Sequence, residues 1–125
     1  MNDAIRLTMA LLITLLPVTA VRADGDPARG EARFQECAAC HRLEAGVNEV
    51  GPSLHGIFMR KAGELADFRY SPAMKRSGVS WTPETIEQYI ADPQAMIPAN
   101  RMPYAGMASA SDRADLIAYL VKATK

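Results

Sequence analysis

The chain has 125 residues, with 14 Lys plus Arg against 14 Asp plus Glu, two cysteines and seven methionines. That length supports one domain, and a balanced charge leaves no electrostatic footprint for nucleic acid, which needs clustered positive excess. The two cysteines lie too close together for a bridge between them to brace much of the chain, so a domain marginal on its own apolar burial calls for another filler, and a large apolar cofactor would serve.

Residues 1–6 carry one Arg, residues 7–16 form an apolar run, and Val21 and Ala23 put small side chains where a signal peptidase reads. This is the layout of a cleavable secretory signal over residues 1–23, followed by a single near-neutral domain over residues 24–125. A retained anchor is the alternative, but the run is shorter than the roughly 20 residues a membrane span needs.

Four helices follow. Asp26-Pro27 supplies a cap and a first-turn proline for a helix reaching about residue 38. Ser71-Pro72 opens a short second helix that Gly78 closes. Thr82-Pro83-Glu84 opens a third and Asp92-Pro93 stops it, with Ile86, Tyr89 and Ile90 on one face. The last begins near Ser109 or Ser111, carries Asp112 and Asp115 early and Lys122 late, as the helix dipole favours, and offers Leu116, Ile117, Leu120 and Val121 as its buried stripe. Residues 42–70 and 93–108 read as Gly- and Pro-rich loop, and nothing alternates with the period of a sheet. Loops of that length are unusual in a compact domain unless they do something; here they are expected to wrap a cofactor.

Cys37-Ala38-Ala39-Cys40-His41 is a C-x-x-C-H motif behind a secretion signal, the pattern of c-type haem attachment. Two thiols one helical turn apart can each add to a vinyl group at one haem edge, and His41 then presents a neutral nitrogen to the iron. A thioredoxin-type dithiol would want a βαβ setting, and a zinc site four ligands, whereas the only other histidine is His55. The opposite face of the iron is either open, for small-molecule binding or peroxidase chemistry, or closed by a ligand, for electron transfer. A thioether ligand raises the reduction potential. Met59, Met74, Met96, Met102 and Met107 all remain after cleavage, and methionines often only fill gaps; Met102 stands out because Pro98 and Pro103 bracket it.

From residue 25 to the end, the sequence resembles the small soluble class I cytochromes c, the family of mitochondrial cytochrome c and its bacterial periplasmic and photosynthetic relatives. Gly51-Pro52-Ser53-Leu54-His55-Gly56 is similar to the family's G-P-x-L-H-G turn. The resemblance implies that the Pro52 carbonyl orients His41, that Leu54 packs on the haem and that His55 stays outside the iron shell. It also implies that Arg60, Tyr70 and Trp81 surround a buried propionate, with Asn100 near a propionate as well, and that Tyr89 lies near the ligating sulfur. Asn100-Arg101-Met102-Pro103-Tyr104-Ala105-Gly106 resembles the Met loop, which points to Met102 as the second axial ligand and puts Tyr104 beside the haem edge. Gly30 is placed where the first and last helices cross closely. Met59 and Met74 depart from the family pattern, as do Glu36, Gln94, Ala95, Ala108 and Ser109, which stand where basic members carry lysines; Arg101 and Arg33 remain.

The fold implied is all-α, a cytochrome c fold of about four helices and long loops around one covalent haem c, with His41 and Met102 as axial ligands. The expected function is a monomeric periplasmic single-electron carrier, not an enzyme, without stable membrane insertion once the signal is cut. Its expected partners are a quinol-cytochrome c oxidoreductase and a terminal oxidase or photosynthetic reaction centre. The thinned basic face also suits a dedicated acceptor for one periplasmic dehydrogenase.

Overall fold

A computed structural model describes residues 24–125. The secretory signal expected over residues 1–23 lies outside the described residues. Five helices appear in order: α1 Pro27–Ala38, α2 Pro72–Arg76, α3 Pro83–Ala91, α4 Pro93–Met96 and α5 Ala110–Ala123, with a 3-10 turn at Ile57–Met59. Among the described residues there is no strand beyond one isolated antiparallel bridge between Lys61 and Ser80. The all-α expectation is met.

Local chemistry sets the helix starts. Asp26 accepts from the amides of Ala28 and Arg29, Ser71 from Met74, Thr82 from Thr85, and Ser109 from Asp112. Each cap satisfies an amide that the helix leaves unpaired, and proline follows the cap in α1 to α4, where its missing N–H costs nothing. At α3 the cap is reciprocal, because the Thr85 hydroxyl bonds the Thr82 amide at 2.8 Å. Gly78, at φ 68°, follows α2 in the left-handed region that glycine enters freely.

α4 departs from the loop expected over residues 93–108. Asp92-Pro93 stops α3, but the Asp92 side chain also accepts from the Ala95 amide at 3.0 Å and starts a new single turn. The same two residues serve as a stop and a cap. α5 departs as well: Leu116 and Leu120 are buried and Ile117 is half-buried, whereas Val121 is exposed. Buried Asp115 and Thr124 occupy the inward face that the simple stripe did not anticipate.

α1 and α5 pack against each other, and α3 joins α5. At the crossing, a Cβ on Gly30 would run into the backbone carbonyl of Asp115, and one on Gly25 into that of Ala114. Phe34 meets Tyr119 with ring centroids 5.4 Å apart, the tilted geometry aromatic pairs favour. Polar groups lock the same crossing: Arg29 Nε donates to Asp115 Oδ2 at 2.7 Å and the Asp26 amide donates to Asp115 Oδ1 at 2.6 Å.

Those bonds, with the charges of Arg29 and Arg33, hold the Asp115 carboxyl below its ordinary range, led by the hydrogen bond from Arg29. A depressed folded-state pKa means stability that is complete above the unfolded value and lost as pH falls through the folded one. Asp115→Asn is therefore expected to lower the thermal midpoint at neutral pH and to flatten its fall below about pH 4. Melting curves of both proteins from neutral to acidic pH measure this; parallel curves would show that Asp115 carries none of the acid sensitivity.

Loop residues 42–70 are anchored rather than free. Gly51 donates to the Cys40 carbonyl and Leu54 to the Arg42 carbonyl, both at 2.9 Å, while the Gly56 amide reaches the Thr124 carbonyl past the end of α5. Ala62 donates to Val79 and Trp81 to Arg60. The loop thus turns back from α1 to the end of α5 and then to the entrance of α3.

Candidate functional site

These loops and helices enclose a cavity of about 460 Å³, within the roughly 300–1,000 Å³ range of small-molecule and cofactor sites. Cys37, Ala39, Cys40 and His41 enter it from the end of α1 and the turn beyond. Gly51, Pro52, Leu54, Ile57, Phe68, Tyr70 and Met74 come from the long loop and α2. Trp81, Ile86, Tyr89, Ile90, Leu116 and Leu120 come from the helical core, and Arg101, Met102, Pro103 and Tyr104 from the stretch after α4. The wall is dominated by hydrocarbon and aromatic rings, a surface that an apolar group of matching size would cover.

His41 Nδ1 lies 2.7 Å from the Pro52 carbonyl. A carbonyl only accepts, so Nδ1 carries the proton and Nε2 keeps its lone pair. Burial holds the imidazole below its ordinary pKa, the Pro52 bond opposes that, and the Arg60 charge adds to it. The result is a neutral, oriented imidazole whose Nε2 could hold a metal. Gly51 makes room for it: a Cβ there would collide with the His41 ring.

Cys37 and Cys40 are not joined to each other. Burial first, then the charges of Glu36 and Cys40, push the Cys37 thiol up to about 11. A thioredoxin-type dithiol depends on a lowered thiol pKa and a βαβ setting, and the described residues show neither. Among the described residues no cluster of three His, Cys, Asp or Glu side chains is placed to hold a metal, which leaves the zinc alternative without a ligand set.

Met102 is half-buried in the cavity wall. Its own amide donates to Asn100 Oδ1 at 2.8 Å, and the Asn100 amide group donates to the carbonyls of Pro93 and Ile97, both at 2.9 Å. Asn100 is buried but is not part of the cavity lining. Its side chain ties the Met102 segment to α4. The other methionines separate by position: Met74 lines the cavity, Met107 is buried in the core, and Met59 is 91% exposed.

Arg60 likewise stands behind the wall. Its Nη2 donates to the Ser53 carbonyl at 2.6 Å and its guanidinium faces Tyr70. Its Nε is buried without a partner among the described residues, as is the Tyr89 hydroxyl. Burial alone pushes Tyr89 up to about 12. Buried polar atoms without partners cost free energy, so the Tyr89 hydroxyl, whose residue lines the cavity, fits a polar edge brought in by a cofactor. Trp81 packs on Tyr89 with centroids 5.2 Å apart. His55 is exposed and outside this cavity.

Sequence reasoning missed Phe68, Ile57 and Ile90 as wall residues, and missed the partner of Glu36, whose carboxylate accepts from the Tyr104 hydroxyl at 2.9 Å across 68 residues of sequence. Burial first and Glu36 second push the Tyr104 phenol up to about 12. Local signals could not have found that pair. Gly51 was detectable, since a glycine before proline in a ligand turn signals a close approach.

The donor set fits haem. Two thiols and an imidazole share an apolar cavity with a thioether, and two orphaned buried donors lie at or behind its wall. The family model for cytochrome c matches residues 27–124. A cytochrome c2 iso-2 from Magnetospirillum fulvum is 48% identical over 98 residues, spanning 78% of this chain and 97% of that protein. A cytochrome c2 from Blastochloris viridis is 43% identical over 110 residues, 87% of each chain. Cytochrome c from Arabidopsis thaliana is 38% identical over 112 residues, 88% of this chain and all of that one. The chain therefore belongs to the cytochrome c family, as an electron carrier with one covalently attached haem c.

Proposed function

We propose that this protein is a periplasmic single-electron shuttle between a quinol-oxidising membrane complex and a terminal oxidase or photosynthetic reaction centre, and that it is not an enzyme. The observation that supports this best is that His41 and Met102 both line one apolar cavity, because an iron held by both would pass electrons but leave no room for substrate. The haem supplies a ferric/ferrous couple of one electron. Cys37 and Cys40 would tether it, His41 Nε2 and the Met102 sulfur would hold its iron, and Pro52 fixes the His41 tautomer.

Leu54, Trp81, Tyr89 and their neighbours exclude water, which disfavours the more highly charged state and raises the potential. Tyr70 and Tyr89 supply polar partners at the wall, Arg60 stands behind it, and Tyr104 stands at its edge. Among the described residues no helix is long and apolar enough to cross a membrane. Residues 1–23 act as the export signal in this reading and residues 24–125 as one domain. Redox proteins would dock briefly at the exposed edge near Cys37, Arg101 and Tyr104, as weak transient contacts suit a shuttle.

A second reading, a dedicated acceptor for one periplasmic dehydrogenase, is favoured by Glu36, Gln94, Ala95, Ala108 and Ser109 at positions where basic members have lysine. The acidic Glu36 lines the cavity itself. The test is made on protein purified from the periplasm. Its mass is expected to equal residues 24–125 plus one haem, and the ferrous protein as isolated is expected to bind carbon monoxide only slowly. A bare polypeptide mass removes the haem assignment, and rapid carbon monoxide binding would favour a ligand-binding or peroxidase role.

A further inference from the structure

The Met102 segment is held on both flanks. Upstream, Gln94 bonds the Ala99 amide and the Asn100 carbonyl, each at 3.2 Å, and Asn100 bonds Met102. Downstream, the Met107 amide donates to the Ile90 carbonyl at 2.7 Å, and Gly106 packs on the Ala91 carbonyl so closely that a Cβ would not fit. These anchors tie the segment to α3 and α4, on its own side of the cavity. α1, which carries Cys37 and ends one residue after it, is reached by a different contact, the Tyr104 hydroxyl on the Glu36 carboxylate at 2.9 Å.

Glu36 directly precedes Cys37 and Tyr104 follows Met102 by two positions, and both residues line the cavity. We infer that the Glu36–Tyr104 hydrogen bond is a clasp that fastens the Met102 segment to the haem-attachment helix, making Glu36 a positioning residue for the sulfur ligand. Because the bond is made by side chains at the rim, it can open without disturbing the core. The inference rests on Met102 being the axial ligand.

A foreign ligand such as imidazole reaches ferric iron only in molecules whose Met102 segment has swung away, so its apparent affinity scales with that open fraction. Removing this solvent-exposed bond from the closed state enlarges the fraction by roughly three- to tenfold, the worth of an ordinary hydrogen bond. The experiment is imidazole titration of the holoprotein, with hydrogen exchange of the amides of residues 102, 104 and 105 as a second readout.

Glu36→Ala and Tyr104→Phe are each expected to tighten imidazole binding by that factor and to speed exchange, the double variant is expected to do no more than either one, and Glu36→Gln, which keeps an acceptor oxygen, is expected to restore most of the difference. Wild-type affinity and exchange in both single variants overturn the clasp, as do additive effects in the double variant. Absorption of the oxidised protein separates the two readings: a sulfur-to-iron band that survives Met102→Ala defeats the ligand assignment, whereas exchange at these amides reports the clasp whichever group binds the iron.

Discussion

Replacing Met102 by alanine is expected to abolish the weak far-red sulfur-to-iron absorption band of the oxidised protein, lower its reduction potential and convert slow carbon monoxide binding to fast. The thioether is soft and favours ferrous iron, so its loss shifts the couple downward. Fold stability should change much less than the spectrum, because Met102 is half-buried while the segment on either side stays fastened through Asn100 and Met107. Absorption spectra and redox titration of the two proteins check this. Persistence of the band would transfer the ligand role to another group, with Met74 the next candidate since it also lines the cavity.

Gly30→Ala is expected to destabilise the protein by about 3 kcal/mol or more, the upper end for overpacking a tight contact, and to lower the thermal midpoint by on the order of 10 °C. The sign of the effect isolates its cause. Gly30 lies inside α1, where alanine is intrinsically better than glycine by about 1 kcal/mol, so local propensity alone predicts stabilisation. The added methyl would instead strike the Asp115 carbonyl, with the Tyr119 Cβ 2.8 Å away, and the helices would have to separate. Gly56→Ala provides the comparison: φ there is 65° but nothing lies within 4 Å of a new Cβ, so only a left-handed backbone penalty of about 1 kcal/mol is expected. Calorimetry of the two holoproteins decides; equal losses would mean that close approach at the crossing is unimportant.

Both experiments probe the relation between the cavity and the crossing that supports it. Leu116 and Leu120 line the cavity from α5, and Phe34 of α1 packs on Tyr119 of the same helix. A shift of α5 at Gly30 is therefore transmitted to the haem wall. Loosening the crossing should also broaden the environment of the cofactor, whereas the Met102 change acts at the iron with little effect on the crossing.

The helix starts were legible because capping is local chemistry. Asp26, Ser71 and Thr82 each announce a helix within three residues, and all three caps are present. The same locality produced the error at residue 93, since Asp92-Pro93 reads as a terminator and its side chain also caps the next turn. Periodicity placed Ile86, Tyr89 and Ile90 inward correctly. It overextended the stripe of α5 to Val121 because one helix pattern does not say how wide a face its neighbours cover.

By itself the sequence determined the attachment motif, the His41 turn and the family, since each is written in residues adjacent along the chain. Tertiary structure decided what depends on distant residues meeting. It brought Met102 into the cavity with His41, set Asn100 to brace the Met102 amide, and placed Arg60 on the Ser53 carbonyl. It also joined Glu36 to Tyr104. Such contacts are fixed by how α1, α5 and the loops pack together, a balance of burial and close approach that no short segment contains.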